Sequence, residues 1–504
     1  MKKTLLSIFS LFSMYILSAQ QDVLWEKSIG GENSEYLYNA ISTPDYGFLI
    51  IGSSSSDATG DIQKKNQGGL DYFIWKMDEN GKQEWQNSFG GNDSDLLYTA
   101  KNTPDGGYIL VGASNSSKSG DKSTPNQGGK DIWIIKIDAN GNIQWEKSFG
   151  GNGDDIPVDV ITTKDKGFLI ASISNSPSSE LKKSTHYGGN DYYIIKLDQN
   201  GKLLWENSFG GEYDDNIKNI VATKDGFLLI GNSNSPESGN KNQNQKIDGT
   251  WIVSIDQNGQ IIKENNLGID NENYLISIQK EENQLFFGIR ERVQGKSEIK
   301  IIKTDELLNI LDNTSLEVDS KLTISSILKN DKQYILTANE ISNNENNSSS
   351  RNIIKSFYIT NTYDLNGKSL WNKNFGDDGF NYLEKAITTR DGSLILFGNS
   401  TQQTKGNKGQ SDFYLVKLGD KSSTEKRTYI EAYPNPTQDF VNVLINKDFE
   451  KASIEVYNLA GQHLQSKEVK YRSTPISLGN YPAGVYILKI NYDNQIESIK
   501  IIKK

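Results

Sequence analysis

The chain has 504 residues, with 54 Lys and Arg against 64 Asp and Glu, 45 Gly, 2 His and no Cys. The lack of Cys excludes disulfides, thiolate chemistry and zinc–thiolate sites, and two His are too few for a multi-histidine metal site. A formal charge of −10 argues against a nucleic-acid-binding protein, which needs a basic face. The aromatic content of 10% is too high for a disordered chain.

Residues 1–19 have the pattern of a secretory signal peptide. Lys2 and Lys3 precede an apolar run at 5–17, and Ser18 and Ala19 supply small residues before a polar segment. The alternative is a retained membrane anchor, but this run is too short to cross about 30 Å of hydrocarbon comfortably. We therefore expect cleavage after Ala19 and no transmembrane segment in the mature chain.

Residues 23–419 contain an internal repeat. Trp25, Trp85, Trp145 and Trp205 are each 60 residues apart, and a further copy begins at Trp371. Each repeat has four strand-like runs, which in the second repeat lie at 98–102, 107–113, 132–137 and 143–149. Repeats of this length built from four antiparallel strands are typical of β-propeller blades.

The number of third strands sets the predicted number of blades. Third strands occur seven times, the last repeat has no fourth strand, and 23–29 is a lone fourth strand ahead of the first repeat. Pairing that strand with the last sheet would remove two exposed sheet edges. The predicted fold is therefore all-β, with a seven-bladed β-propeller at 20–419 closed by the N-terminal strand. Six or eight blades remain alternatives if 269–360 divides differently.

The predicted topology separates long loops from tight turns. In a four-stranded meander, the loop between strands two and three and the crossover to the next blade emerge on one face. The long loops at 53–70, 114–130, 172–190 and 232–248 are rich in Ser, Asn, Gly, Lys and Gln. The Asp-x-Asn-Gly turns of the other face predict hairpins rather than calcium loops, because no Glu follows at position twelve. We expect the loop-rich face to bind a glycan or a protein.

The crossovers also carry pairs of carboxylates. These are Asp93, Asp95, Asp154, Asp155, Asp214, Asp215, Asp377 and Asp378. If they converge at the mouth of the central channel, they would attract Ca²⁺ or a cationic ligand. The alternative is that they cap the turns after Gly-Gly and are otherwise solvated. No other cofactor is indicated.

The C-terminal segment differs from the repeats. A linker at 420–430 leads into 431–504, where four features follow in order: Tyr433-Pro434-Asn435-Pro436, a strand and turn ending at Gly461, a strand starting at Gly484, and a basic end at Lys503 and Lys504. Together they resemble the type A C-terminal sorting domain of Bacteroidota type IX secretion cargo. The resemblance implies a small Ig-like β-sandwich, recognition by the type IX machinery, passage through the periplasm and outer membrane, and removal of the domain with release or surface attachment.

Three functions are compatible with these features. The first is a secreted or surface-displayed propeller that binds or adheres through its loop-rich face without catalysis. Its repeats also resemble Bacteroidota surface propellers, which implies an extracellular protein. The second is a polysaccharide-active hydrolase or lyase, which would need two carboxyl groups in unlike environments, whereas repeated Asp positions suggest equivalent ones. The third is a passive or calcium-stabilised surface scaffold.

Overall fold

The computed structural model describes residues 21–179, 181–242, 249–267, 274–293, 296–343, 354–376, 379–389, 391–401, 406–420 and 428–504. The predicted signal peptide at 1–19 and the two carboxylates Asp377 and Asp378 lie outside the described residues. Within the described ranges the regular elements are β-strands, which confirms the all-β prediction. In this part of the chain there is also no helix whose length and apolar character would let it cross a bilayer.

Among the described residues, twenty-eight strands precede the C-terminal segment. In chain order they are β1 (Asp22–Ile29), β2 (Glu35–Ser42), β3 (Phe48–Ser54), β4 (Asp71–Met77), β5 (Gln83–Phe89), β6 (Asp95–Asn102), β7 (Tyr108–Ser114), β8 (Asp131–Ile137), β9 (Ile143–Phe149), β10 (Asp155–Thr162), β11 (Phe168–Ser174), β12 (Asp191–Leu197), β13 (Leu203–Phe209), β14 (Asp215–Ala222), β15 (Gly226–Ser233), β16 (Gly249–Asp256), β17 (Ile261–Asn265), β18 (Tyr274–Glu281), β19 (Gln284–Val293), β20 (Lys296–Asp305), β21 (Ile310–Glu317), β22 (Leu322–Lys329), β23 (Gln333–Asn343), β24 (Ile354–Asp364), β25 (Ser369–Phe375), β26 (Asn381–Thr388), β27 (Leu394–Ser400) and β28 (Asp412–Gly419).

The tight turns between strands depend on local side-chain chemistry. In the turn after β4, Asp78 Oδ1 accepts hydrogen bonds from the backbone N–H groups of Asn80 (2.9 Å) and Lys82 (2.8 Å). Gly81 in this turn has a φ of +74°, which glycine adopts without steric cost. The Asp side chain is thus used within the hairpin, as the turn chemistry predicts.

These strands form seven four-stranded antiparallel sheets among the described residues of 22–419. Six sheets are meanders of consecutive strands, from β2–β5 to β22–β25. The seventh has the order β1-β28-β27-β26, because β1 pairs antiparallel with β28, with Lys27 opposite Leu415. The N-terminal strand therefore supplies the outer strand of the last sheet.

Clusters of buried apolar side chains join each sheet to the next. Six clusters link consecutive sheets from the first to the seventh. A further cluster links the seventh sheet to the first, and in it the rings of Phe48 and Phe397 lie 5.5 Å apart. Each sheet is therefore apolar on both of its sides, as expected for sheets that stand side by side.

The two ends of the strands carry different connections. The hairpin face, as we name it, carries the tight turns after the first strand of each sheet and after the third strand of the first six sheets, such as those at 43–47 and 78–82. The loop face, at the opposite ends of the strands, carries the long connections at 55–70, 115–130 and 175–190. The fifth sheet differs, because only two residues separate β19 from β20. The fifth sheet therefore contributes no long connection between its second and third strands to the loop face.

The C-terminal segment forms a separate β-sandwich. Its strands are β29 (Ile430–Tyr433), β30 (Phe440–Ile445), β31 (Ala452–Asn458), β32 (His463–Val469), β33 (Ser473–Ser477), β34 (Gly484–Tyr492) and β35 (Gln495–Lys503). A three-stranded sheet, β29-β30-β33, faces a four-stranded sheet, β32-β31-β34-β35. Val441 and Val443 from the first sheet pack with Ile454 and Leu488 from the second in one buried core.

Candidate functional site

Three of the predicted metal ligands are buried at loop-face corners, where the crossovers enter the next inner strand. Asp95, Asp155 and Asp215 begin β6, β10 and β14 and have no solvent-exposed surface. The Asp155 Oδ2 atom accepts hydrogen bonds from the Gly151 backbone N–H (2.8 Å) and the Ser176 hydroxyl (2.6 Å). The other two carboxylates have equivalent partners in their own sheets. These side chains hold the Gly-Gly turn against the loop of the sheet that follows it.

The neighbouring predicted ligands Asp93, Asp154 and Asp214 are exposed and bind backbone groups. Asp154 Oδ1 accepts a hydrogen bond from the Lys130 N–H (2.8 Å), and Asp214 accepts the equivalent bond from the Asn190 N–H (2.9 Å). Asp93 instead accepts from the N–H of its neighbour Ser94 (2.8 Å). Within the described residues there is no group of three Asp, Glu or His side chains placed to hold a metal ion. The six described carboxylates therefore cap turns, and Ca²⁺ binding at them stays a prediction.

A second series of carboxylates, which the sequence prediction missed, meets the first at the same corners. Asp71, Asp131 and Asp191 begin the third strands of their sheets and are fully buried. A Cβ atom on Gly150 would lie 2.3 Å from Asp131 Oδ1 and 2.9 Å from Asp155 Oδ2, so the glycine lets the two carboxyl groups approach. Burial raises the pKa of Asp131 to about 7. The repeated Gly-Gly-x-Asp sequence was the signal for this series.

Buried lysines pair with the Asp residues of the hairpin-face turns. Lys136 Nζ lies 2.9 Å from Asp105 Oδ2, and its side chain is 5% exposed. Burial raises the pKa of Asp105, but the charge of Lys136 and the hydrogen bonds that the carboxylate accepts together lower it more, so the net change is downward. The same pairing joins Lys76 to Asp45 at 2.8 Å. These pairs fasten the third strand of a sheet to its first turn.

The inner strands bring aromatic and acidic side chains of different sheets together. The rings of Tyr38 on β2 and Tyr98 on β6 lie 5.2 Å apart. Burial, with the nearby Tyr98 and Glu384, raises the pKa of Tyr38 to about 12. Burial also raises the pKa of Glu384, on β26, to about 7. Sequence analysis did not identify this group, because each residue is unremarkable within its own repeat.

A second inner-strand carboxylate lies in a different environment. Asp159 on β10 accepts hydrogen bonds from the backbone N–H groups of Val160 (2.9 Å) and Ile220 (3.2 Å), and Lys101 Nζ lies 3.9 Å from its Oδ1. It is thus satisfied by backbone donors and a cation, whereas Glu384 is affected mainly by burial. The expectation of equivalent environments concerned the repeated Asp positions, which share their partners at the corners, whereas Glu384 and Asp159 belong to no repeated Asp series.

Internal hydrogen bonds hold the loops of the loop face in place. The Asn66 side-chain amide donates to the carbonyl oxygens of Ser54 (3.1 Å) and Gly69 (2.9 Å), and Asn126 makes matching bonds in the next sheet. Large side chains remain exposed above this framework: Leu181 and Tyr213 are each 54% exposed. The loop face thus presents accessible side chains on an ordered backbone.

The sorting-signal residues come together at one edge of the C-terminal sandwich. The Asn435 side-chain amide donates to the Lys500 carbonyl (2.8 Å), and its oxygen accepts from the Ile502 N–H (3.0 Å). Tyr433, Pro434, Asn435 and Pro436, which start the motif, are thereby fastened to the last strand. The structure explains in this way how motif residues at the two ends of the segment meet.

The basic end of the chain is part of the same edge. Lys503 Nζ is directed inward and donates to the carbonyl oxygens of Leu478 (2.7 Å) and Gly479 (3.1 Å), and the Lys504 N–H donates to the Thr437 carbonyl (2.8 Å). Gly484 begins β34 and lies opposite Lys503 of β35, so it belongs to the same edge. Gly461 lies elsewhere, with a φ of +77° in the turn between β31 and β32.

Comparison with solved structures shows only distant likeness. The chain is similar to a polysaccharide lyase of family PL25, an ulvan lyase, with 10% identity over 77% of this chain and 96% of that chain and a TM-score of 0.41. It is similar to the Pyrococcus horikoshii acylaminoacyl peptidase, with 9% identity over 83% of this chain and 59% of that chain and a TM-score of 0.43. It is also similar to the Synechocystis apocarotenoid oxygenase, with 10% identity over 77% of this chain and 94% of that chain and a TM-score of 0.37. At these TM-scores no property of those proteins is transferred to this chain.

A family match identifies the C-terminal segment. No curated protein matches the chain. Residues 431–504 match the family described as the secretion system C-terminal sorting domain, which confirms the predicted resemblance. These residues therefore form a type IX sorting domain, which indicates that the chain is exported to the cell surface or secreted.

Proposed function

We propose that this chain is a secreted or surface-displayed seven-bladed β-propeller, closed by its N-terminal strand, that binds a glycan or protein through its loop face and catalyses no reaction. The pairing of β1 with β28 and the apolar cluster between the seventh and first sheets support the closed ring. The sorting domain supports the extracellular location.

The position of the sorting domain is the observation that carries the proposal. Its contacts with Tyr46, Glu79 and Lys166 all involve residues of hairpin-face turns. The loop face lies at the opposite ends of the same strands, so the domain leaves it accessible. Because hydrogen bonds already order these loops, binding a ligand would cost little further conformational entropy, which favours affinity.

A binding screen with matched variants tests the proposal. The full-length protein is applied to a glycan array and used in a pull-down from extracellular matrix extract. We expect Tyr213→Ala and Leu181→Ala on the loop face to lower the affinity for any captured ligand tenfold or more, which corresponds to about 1.4 kcal/mol. Leu204→Ala, at an equally prominent apolar side chain on an outer strand (50% exposed), is the control. Binding that the loop-face variants leave unchanged would contradict the proposal.

A polysaccharide-active hydrolase or lyase is the second candidate, and Glu384 favours it. A general acid needs a raised pKa, and a partner carboxylate needs a normal one. Burial raises the pKa of Glu384 to about 7, as a general acid requires, and Asp159, which accepts hydrogen bonds from backbone N–H groups, is a carboxylate in an unlike environment. Screening the protein against acidic and neutral polysaccharides, with Glu384→Gln as the inactive control, tests it. Product release that survives this substitution would exclude Glu384 as the acid.

A further inference from the structure

The sorting domain touches the hairpin face at several separate polar contacts. The Tyr46 hydroxyl, in the first turn, donates to Glu431 Oε2 at 2.9 Å. Lys166, in a turn of the third sheet, has its Nζ 2.5 Å from Asp439 Oδ2. These contacts lie on the first and third sheets, so they define the orientation of the domain as well as its position.

Arg472 makes the most extensive of these contacts. Its guanidinium donates to both oxygens of Glu79, with Nη1 to Oε2 at 3.0 Å and Nη2 to Oε1 at 3.4 Å, and Asp78 Oδ2 lies 3.9 Å away. The side chains of Arg472 and Glu79 are only 18% and 15% exposed. Burial lowers the pKa of the guanidinium, but the hydrogen bond and charge of Glu79, together with the charges of Glu84 and Asp78, raise it more, so the net change is upward. Bidentate, partly desolvated pairs of this kind are geometrically selective.

The surfaces also fit closely beside this ion pair. A Cβ on Gly106, in the hairpin turn of the second sheet, would lie 2.8 Å from Asn442 Oδ1 and 2.9 Å from Pro475 Cβ. This glycine also has a φ of +81°, so a larger residue there would be strained in its own turn as well. The hairpin of the second sheet therefore packs directly on the three-stranded sheet of the sorting domain.

We propose that the hairpin face of the first three sheets is a dedicated docking site for the sorting domain of the same chain, with the Arg472 guanidinium as its anchor. The ligand is the sorting domain itself, and the recognition uses ion pairs of both polarities: the domain's Arg472 binds a carboxylate of one hairpin turn, and Lys166 of another turn binds the domain's Asp439. Docking holds the sorting signal away from the loop face. It also keeps the domain bound after the connecting chain is cut, until ionic interactions are screened.

Cleavage of the connection in the intact protein tests this inference. Residues 421–427 are replaced by a recognition sequence for a site-specific protease, and the full chain is cut and passed through gel filtration. We expect the two fragments to elute together in about 50 mM NaCl. They should separate in about 1 M NaCl, where the Debye length is only about 3 Å and ionic interactions are screened. Separation of the unsubstituted fragments at low salt would overturn the proposal.

Charge-reversal variants test the role of the anchor. We expect Arg472→Glu to weaken fragment association at least tenfold, and Glu79→Arg combined with Arg472→Glu to restore much of it. Lys489→Glu, which disrupts the Lys489–Glu455 pair within the sorting domain, is the matched control and should associate normally. Circular dichroism of each uncut chain verifies folding. Equal association of Arg472→Glu and the unsubstituted protein would refute the anchor.

Discussion

The substitution Asp155→Ala separates a structural role of the loop-face carboxylates from a metal-binding role. Asp155 is fully buried, and its Oδ2 accepts hydrogen bonds from the Gly151 N–H and the Ser176 hydroxyl. Asp154 is its matched control, because it is adjacent in sequence, exposed, and bound to the Lys130 N–H. Both were predicted calcium ligands, so a metal site would make both substitutions harmful in the same way.

The expected losses follow from the lost hydrogen bonds. A hydrogen bond to a charged group contributes about 1.5–3 kcal/mol, and the Asp155 carboxylate makes two in a buried site. The Ser176 hydroxyl can rotate toward another acceptor, so we expect the free energy of unfolding to fall by about 3 kcal/mol. One solvent-exposed bond at Asp154 contributes about 1 kcal/mol or less.

Thermal unfolding of the two variants, with and without EDTA, is the assay. At about 2 °C per kcal/mol for a large domain, Asp155→Ala should lower Tm by about 6 °C and Asp154→Ala by at most about 2 °C. EDTA should leave the Tm of the unsubstituted protein unchanged if the carboxylates cap turns. Equal losses from the two substitutions, together with a lower Tm in EDTA, would refute the capping role and support a calcium-stabilised scaffold.

Three further outcomes are expected. Deletion of Asp22–Ile29 should expose an edge of the seventh sheet, so that dynamic light scattering detects association that the full chain does not show. Burial raises the pKa of Asp71 and Asp131 from 3.8 to about 7. Between these values the folded chain binds protons that the unfolded chain has lost, so the free energy of unfolding should fall as the pH rises from about 4 to about 7. In urea titrations across this range, the double substitution to Asn should reduce that slope, and an unchanged slope would contradict the assignment. Lys136→Ala should lower the free energy of unfolding by about 3 kcal/mol, because Asp105 loses its cation, and Asp105→Asn in the same chain should recover part of it in urea denaturation.

The features that were predictable are those that depend on nearby residues. The Trp spacing of 60 residues and the Asp-x-Asn-Gly turns indicated four-stranded repeats, since each hairpin is specified by the few residues that form it. The lone strand at 23–29 was likewise predicted to pair with the last sheet, and β1 pairs with β28 in the structure. The sorting domain was identifiable because its motif residues occur in a fixed order.

The roles of individual side chains were harder to predict. The acidic pairs at 93–95, 154–155 and 214–215 look like metal ligands in sequence, but one oxygen of each buried carboxylate accepts hydrogen bonds from a turn N–H group and from a Ser hydroxyl about 20 residues away. Glu384 is one of many acidic residues in sequence. Its raised pKa arises because folding buries it beside tyrosines of another sheet.

The local features of the chain were thus predictable from the sequence: the strand pattern, the hairpins, the repeat and the export domain. The placement of groups distant in sequence was not, and the pair formed by Arg472 and Glu79 is the clearest case, since 393 residues separate them. Turn and strand preferences are set by a residue and its close neighbours, whereas a contact between two domains depends on how every intervening sheet is stacked. The face left accessible to a ligand follows from that stacking.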